Sequence, residues 1–379
     1  MTQKRAAFVY SSQLEKYSYP SDCPFNTDRA ARVRKILNSM GLLKGKGVSE
    51  LAPQKAEREV LEMFHTARYL DALKEAADSK IDVDALHMGI GLPDCPVFRD
   101  MYEYPLWAVG ATLTGAEAII EGKTDIAFNP SGGFHHAGPE HAAGFCYIND
   151  VALACMVLAG AGKKVLYLDV DVHHGDGVAN AFYDRDDVLT ISFHQSGRTL
   201  FPGTGFEDEI GIGKGKGYCV NVPLPIGTYD EAYIGAFEQI VLPLIKSYDA
   251  DVIVFELGAD TLAGDPLANL RLTNNTYVDI LYHLLSFDKP ILATGGGGYN
   301  VDNTVRAWSL AWSVLSGVDK ENQHHSIGLG GVMLESTDWY GGLRDRRLII
   351  SQEEQDAVTK EINTTIEAVK KNIFSFHNL

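Results

Sequence analysis

The sequence predicts an α/β protein built on a mostly parallel sheet with helices on both faces. Three observations carry that expectation. Short apolar runs rich in β-branched residues recur along the chain. Longer segments of helical period separate them. Segments rich in Gly, His and Asp follow several of the apolar runs, as sites do at the carboxyl ends of strands in open parallel sheets.

In chain order, the first strand is expected at Ala6–Tyr10, an unbroken apolar run, followed by a helix over Thr27–Met40. A helix over Trp107–Glu121 leads into the strand Asp125–Phe128. The helix Val151–Ala161 leads into Val165–Val170, and Val188–Phe193 is the next apolar run. A long helix over Asp230–Ser247 precedes the strand Asp251–Leu257, and Asn274–Phe287 precedes Ile291–Thr294. Helices over Thr304–Leu315 and Gln352–Ile373 complete the pattern. The 379 residues are enough for two domains, but neither a Pro/Ser-rich linker nor an internal repeat divides them. One domain over residues 1–379 with long loops is expected.

Composition bounds the function. Hydrophobic residues make up 45% and charged residues 22%, which is ample core material for a globular protein. The net charge of −17 argues against nucleic acid as a partner, because phosphate binding needs basic neutralisation. It suits cationic substrates such as lysine-rich peptides or polyamines, though on charge alone a merely soluble acidic protein is the simpler reading. The five cysteines are scattered and never spaced as C-x-x-C, so neither a disulfide framework nor a zinc knuckle is expected. The N-terminus lacks the apolar core of a signal peptide, and no apolar run reaches the roughly 18 residues of a membrane span. A cytoplasmic protein with no membrane partner is expected. Oligomeric state is not legible.

Chemistry concentrates in two segments, Ser131-Gly132-Gly133-Phe134-His135-His136 and Asp169-Val170-Asp171-Val172-His173-His174-Gly175-Asp176. Alternate residues at a strand's end point the same way, so Asp171 and His173 can face one cation. A third ligand must come from another strand. Asp260, in Gly258-Ala259-Asp260 after the run Asp251–Leu257, is the obvious donor. Two carboxylates and one imidazole suit zinc or ferrous iron, with a position left for water. A lone Asp-x-His is more often structural than metal-binding. Three carboxylates and two histidines within eight residues would be a costly way to end a buried strand.

His135 and His136 are candidates for acid–base work beside the metal, each needing a carboxylate to fix its tautomer. Asp169 and Asp176 remain for that duty, which makes two His–Asp pairs available. The open alternative is that both histidines are metal ligands, although neighbouring side chains in an extended segment diverge. Tyr299 follows four glycines after an apolar strand. Such a loop can press against a ligand and present a phenol to a developing oxyanion. A turn leading to a core tyrosine is the equal alternative. The glycine-lysine runs at 160–164 and 211–217 lack the strand–loop–helix setting of a phosphate loop and read as turns.

Taken together these segments resemble the zinc-dependent histone deacetylase family. Gly133-Phe134-His135-His136-Ala137, Gly144 to Asp150, Asp169 to Gly177, Phe201 to Gly205, Gly258 to Asp265 and Gly295 to Tyr299 follow in the family's order. The chain looks closest to class I members and to their prokaryotic relatives, the acetoin-utilisation-type deacetylases. The tail Gly331 to Ser336, with Trp339 to Gly342, is similar to the prokaryotic branch. Glu256 stands where class I members commonly carry glutamine.

The resemblance implies a three-layer arginase–deacetylase fold and hydrolysis of an N-acyl-lysine amide in a protein or peptide. It implies Asp171, His173 and Asp260 as zinc ligands, with iron as the other metal to consider. His136 with Asp176 matches the general base, and His135 with Asp169 a second, mainly electrostatic histidine. Tyr299 matches the donor to the tetrahedral oxyanion. Phe145 and Phe201, with Leu267 at the rim and the Gly144 carbonyl, match the acyl-lysine tunnel. Asp94 matches a rim acid that grips the substrate backbone, and Arg29 an arginine at the foot of an acetate cavity. The carbonyls of Asp169, Asp171 and His173, with Ser192 and Phe193, resemble a structural potassium site, and those near Phe182 and Val188 a second.

Rival readings stay nearby. A deacetylase of acetylpolyamines or another small N-acyl amine is the alternative within the resemblance. An arginase-like ureohydrolase would need more carboxylates for a second metal. A binding module without catalysis would lack a ligand, base or oxyanion residue, and none is missing.

Overall fold

The computed structural model describes residues 4–318 and 342–379. The tail motif from Gly331 to Ser336 and Trp339 to Gly341 lies outside the described residues. Among the described residues the strands are β1 Ala6–Val9, β2 Val48–Leu51, β3 Ile126–Asn129, β4 Val165–Asp169, β5 Val188–Gln195, β6 Cys219–Leu224, β7 Val252–Glu256 and β8 Ile291–Thr294. The helices are α1 Asp28–Ser39, α2 Arg58–Leu61, α3 Ala67–Ala77, α4 Val83–His87, α5 Glu103–Ile120, α6 Asp150–Gly160, α7 Asp176–Ala181, α8 Asp230–Tyr248, α9 Asn274–Ser286, α10 Val301–Leu315 and α11 Gln352–Ile373.

The strands form one sheet in the order β2-β1-β3-β8-β7-β4-β5-β6. Every pairing in it is parallel. Successive residues of a strand point to opposite faces, and the core divides accordingly. Leu166 and Leu168 of β4, with Ile253 and Phe255 of β7, pack in one cluster with α1, α8, α9, α10 and α11. Val165 and Tyr167, with Val252 and Val254, pack in the other with α3, α5 and α6. Both faces are therefore covered, which is why these strands read as near-continuous apolar runs.

The six expected strands are the six inner ones, and the two unexpected strands are the edges. β2 is four residues with an exposed Ser49-Glu50 centre, so it carries little apolar signal. β6 contains Asn221 and Pro223; proline cannot donate to a ladder and is confined to edges. α5 starts at Glu103 rather than Trp107, because Pro105 falls in the first helical turn, where its missing N–H costs nothing. α10 starts at Val301 because the Asn300 side chain caps it by accepting from the Asn303 amide. α3 was not expected; it is capped by Thr66 and buries only Tyr69, Leu70, Leu73 and Ala76 among charged residues.

The consequence for the site follows from strand order. β3, β8, β7 and β4 are neighbours, though the chain visits them far apart. The loops leaving their carboxyl ends carry His135 and His136, Tyr299, Asp260, and Asp171 with His173 respectively. Strand order thus brings four distant segments to one place. Among the described residues no helix is long and apolar enough to cross a membrane.

Candidate active site

β4 ends at Asp169, and beyond Val170 the chain bends through Asp171-Val172-His173. Val170 and Val172 turn into the core, which leaves Asp171 and His173 on the opposite side. The carboxylates hold this backbone as well as facing the site. Asp169 Oδ1 accepts the Asp171 amide at 2.9 Å, Asp171 Oδ1 the His173 amide at 2.9 Å, and Asp260 Oδ1 the Val172 amide at 2.9 Å.

His173 Nδ1 lies 3.1 Å from Asp171 Oδ1 and 3.1 Å from Asp260 Oδ2. Bonds of about 2.0 Å around a tetrahedral ion separate neighbouring donors by about 3.3 Å. The donor spacing therefore fits a divalent metal. Close approach of the surrounding backbone is possible only because of glycine: a Cβ on Gly297 would sit 1.9 Å from Asp260 Oδ2, and one on Gly258 2.1 Å from Asp171 Oδ2. All three side chains are buried, and donors so placed could hold a metal ion. Burial and the neighbouring Asp171 push Asp260 up to about 7. Burial alone would lower His173, but Asp171 and Asp260 outweigh it and push it up to about 10.

A second buried group, His135, Asp169 and Glu256, has the same kinds of donor atom close together. Most of its atoms are already engaged, and Glu256 Oε1 is the one without a hydrogen-bond partner. The Tyr167 hydroxyl is 2.6 Å from Asp169 Oδ2 and 2.8 Å from Glu256 Oε2, and His135 Nδ1 is 2.9 Å from Asp169 Oδ2. Glu256 Oε1 lies 3.2 Å from the same His135 nitrogen. This group is a proton-sharing network behind a histidine.

The two histidines occupy the loop after β3. Asp150, the first residue of α6, accepts the Gly133 amide at 3.1 Å and the Phe134 amide at 2.8 Å. Asn149 Nδ2 donates to the carbonyls of His135 at 3.2 Å and Ala137 at 2.9 Å. Held this way, the rings do not diverge: His135 Nε2 and His136 Nε2 are 3.0 Å apart. His136 Nδ1 is 2.7 Å from Asp176 Oδ1. Their electrostatics differ. Burial opposes charge on His135, but Glu256, Asp169 and Asp171 outweigh it and hold it well above the usual imidazole range. Burial, and then the adjacent His135, push His136 down to about 4. The two rings thus differ in proton affinity, high at His135 and low at His136.

Tyr299 completes the ring of groups. Its ring centroid lies 6.4 Å from that of His173 and 5.6 Å from that of Phe145. Burial, then Asp260 and Asp171, hold its phenol well above the ordinary value, so it keeps its proton. Arg29 is buried behind the loop, donating to the Gly298 carbonyl at 2.8 Å and the Gly296 carbonyl at 3.0 Å. Its guanidinium lies over the rings of Phe25 and Trp308.

The expected tunnel residues also gather here. Phe201 is 44% exposed, and its ring is 5.0 Å from that of His136. Asp94 Oδ2 accepts the Gly144 amide at 2.9 Å, and the Asp94 carbonyl accepts the Phe145 amide at 2.9 Å. Asp94 therefore shapes the Phe145 wall, where both Gly144 and Phe145 have positive φ. Leu267 is half-buried beside Asp265. Of the residues expected around potassium, Asp169 and Ser192 are register partners on β4 and β5, with Phe193 next along β5. Val188 opens β5, and Phe182 follows α7.

Several residues of the site were not assigned from the sequence. Tyr167, Asp150, Asn149 and Asp265 are polar groups that hold the chemistry in place. Tyr19, whose hydroxyl donates to the Phe145 carbonyl at 2.8 Å, is another. The available signal was polarity inside otherwise apolar or glycine-rich segments, as at Asn149-Asp150 before α6.

A model of the histone deacetylase domain matches residues 23–315. Histone deacetylase RPD3 of Saccharomyces cerevisiae is 36% identical over 319 residues, covering 83% of this chain and 73% of the yeast protein. Histone deacetylase 8 of Xenopus tropicalis is 40% identical over 291 residues, 76% of this chain and 78% of the frog protein. A crystal structure of an HDAC homolog complexed with SAHA matches with a TM-score of 0.87 at 32% identity, covering 97% of this chain and 100% of that one. The HDAC homolog from Aquifex aeolicus matches with a TM-score of 0.85 at 32% identity and the same coverage.

Proposed function

The chain belongs to the histone deacetylase family, and from that premise we propose that it removes an acetyl group from the ε-amine of lysine in proteins. It is a hydrolase of that family with a buried Asp/His metal site. The observation that carries the finer reading is the convergence of the Asp171, His173 and Asp260 donors beside two adjacent histidines, each backed by a carboxylate.

In this reading Asp171, His173 and Asp260 hold one zinc ion, or a ferrous ion in its place. Bound there, the metal would supply Lewis acidity toward the acyl carbonyl and toward water. His136 Nε2 accepts a proton from the attacking water. Asp176, 2.7 Å from Nδ1, fixes the tautomer and stabilises the cation that forms. The same Nε2 then returns the proton to the departing lysine amine, so that acetate and a free amine leave. His135, whose proton affinity Glu256 and Asp169 raise, stabilises negative charge. The Tyr299 hydroxyl donates to the tetrahedral oxyanion. Phe145 and Phe201 flank the lysine stem, Leu267 and Asp94 form the rim, and Arg29 lines the way out for acetate. Structural potassium at the Asp169–Ser192 end of β4 and β5 belongs to the same proposal.

A panel of acyl-lysine peptides and acylated polyamines, assayed with and without added zinc, tests the reading. Turnover of acetyl-lysine peptides that exceeds turnover of acetylpolyamines is expected. A strong preference for acetylpolyamines would overturn the substrate, and no turnover of any acylated amine would overturn the activity.

A further inference from the structure

The loop that presents Tyr299 joins β8 to α10, and its four glycines have no side chains of their own to anchor it. Precise placement of the hydroxyl must therefore come from what holds the loop. Three charged side chains do so. Arg29 takes the carbonyls of Gly296 and Gly298, and Asp171 Oδ2 accepts the Gly297 amide at 2.6 Å. The third is Asp265, whose Oδ2 accepts the amides of Tyr299 at 2.7 Å and Asn300 at 3.3 Å. Arg29 is the residue expected at the acetate cavity, and Asp171 is one of the candidate metal donors. Asp265 has no such duty, and among the described residues it forms no ion pair.

We propose that Asp265 is a positioning residue for Tyr299, binding the oxyanion donor's own backbone amide and tying it to the opposite wall of the substrate tunnel. Its other oxygen, Oδ1, accepts the Leu267 amide at 2.9 Å. One carboxylate thus bridges the loop of the phenol and the loop of the rim leucine. It also faces the N-terminus of the 15-residue α10, whose cap is Asn300, where negative charge is favourable. Asp265 is 7% exposed, so water cannot replace a lost bond. Only an ionised carboxylate serves both sides. An amide has one accepting oxygen, and its NH2 would confront either the Leu267 amide or the Tyr299 and Asn300 amides, donor against donor.

This inference rests on the oxyanion role proposed for Tyr299, and the test separates the two. Asp265→Asn is expected to lower kcat on an acetyl-lysine peptide about 10- to 100-fold with KM within about threefold, the scale of a misplaced catalytic group. In a Tyr299→Phe background, where there is no hydroxyl to place, the same substitution is expected to lower kcat less than about threefold. Hydrogen exchange in a peptide covering residues 295–303 is expected to quicken, independent of activity. Asp265→Ser, read in the same way, serves if the asparagine variant does not fold. A kcat within about threefold of wild type, or an equal loss in both backgrounds, would overturn the proposal. A wild-type protein inactive on every acylated amine would instead overturn the proposed function, and the exchange measurement would still decide whether Asp265 anchors the loop.

Discussion

His136→Ala is expected to lower kcat on an acetyl-lysine peptide by roughly 10²- to 10⁴-fold, the range for losing a general acid–base group. The reasoning is local. His136 has the lower proton affinity of the two rings, and Asp176 backs it from Nδ1 at 2.7 Å. Asp176 serves by holding the tautomer, so Asp176→Asn should fall between wild type and His136→Ala. His135→Ala removes a nearby positive charge rather than the proton acceptor, so its loss should be the smaller of the two histidine variants. Bound metal should stay unchanged in His136→Ala, because neither His136 nor Asp176 belongs to the metal donor group. Steady-state kinetics with metal analysis checks this. If His135→Ala cost more than His136→Ala at equal metal content, the duties of the two histidines would be reversed.

The second large effect concerns Asp260→Ala. Asp260 is the donor contributed by a distant strand: Oδ2 faces His173 Nδ1 while Oδ1 holds the Val172 amide. Its removal leaves two donors, Asp171 and His173, on one short segment. Loss of an outer partner alone costs roughly 10- to 100-fold in metal affinity, and loss of a ligand should exceed that. The variant is expected to purify without stoichiometric metal and to show no turnover at equimolar zinc. Asp265→Ala would disturb the neighbouring loop without removing a donor, so it should retain the metal. An Asp260→Ala protein that bound zinc as tightly as wild type would remove Asp260 from the ligand set.

Much of this site is legible in the sequence because its residues are rare in their surroundings. Asp171 and His173 alternate with Val170 and Val172 at a strand's end, and such a pattern has few uses. The division between His135 and His136 is not legible from spacing alone. It depends on Glu256, Asp169 and Tyr167 meeting behind one ring, which only the pairing of β4 with β7 brings about. The expectation that adjacent rings diverge holds for an extended strand. It fails here because Asp150 and Asn149 bend the backbone around the pair. Anchors of that kind bond to main-chain groups far away in sequence, so nothing near them in the chain reveals their task. The same holds for Asp265, which lies inside a recognisable segment but acts on a loop 34 residues later. In the fold, the inner strands are legible by their apolar runs. The edges β2 and β6 are not, because half-exposed or proline-bearing strands lose that signal.

The claim on which the rest depends is that Asp171, His173 and Asp260 form one metal centre that the reaction requires. Elemental analysis of the purified protein, repeated after chelation and after back-titration with zinc while deacetylation is followed, addresses it directly. One equivalent of catalytic divalent metal per chain is expected, with turnover lost on chelation and restored at one equivalent of zinc. Turnover that persists in metal-free protein, or that needs two equivalents, would contradict it.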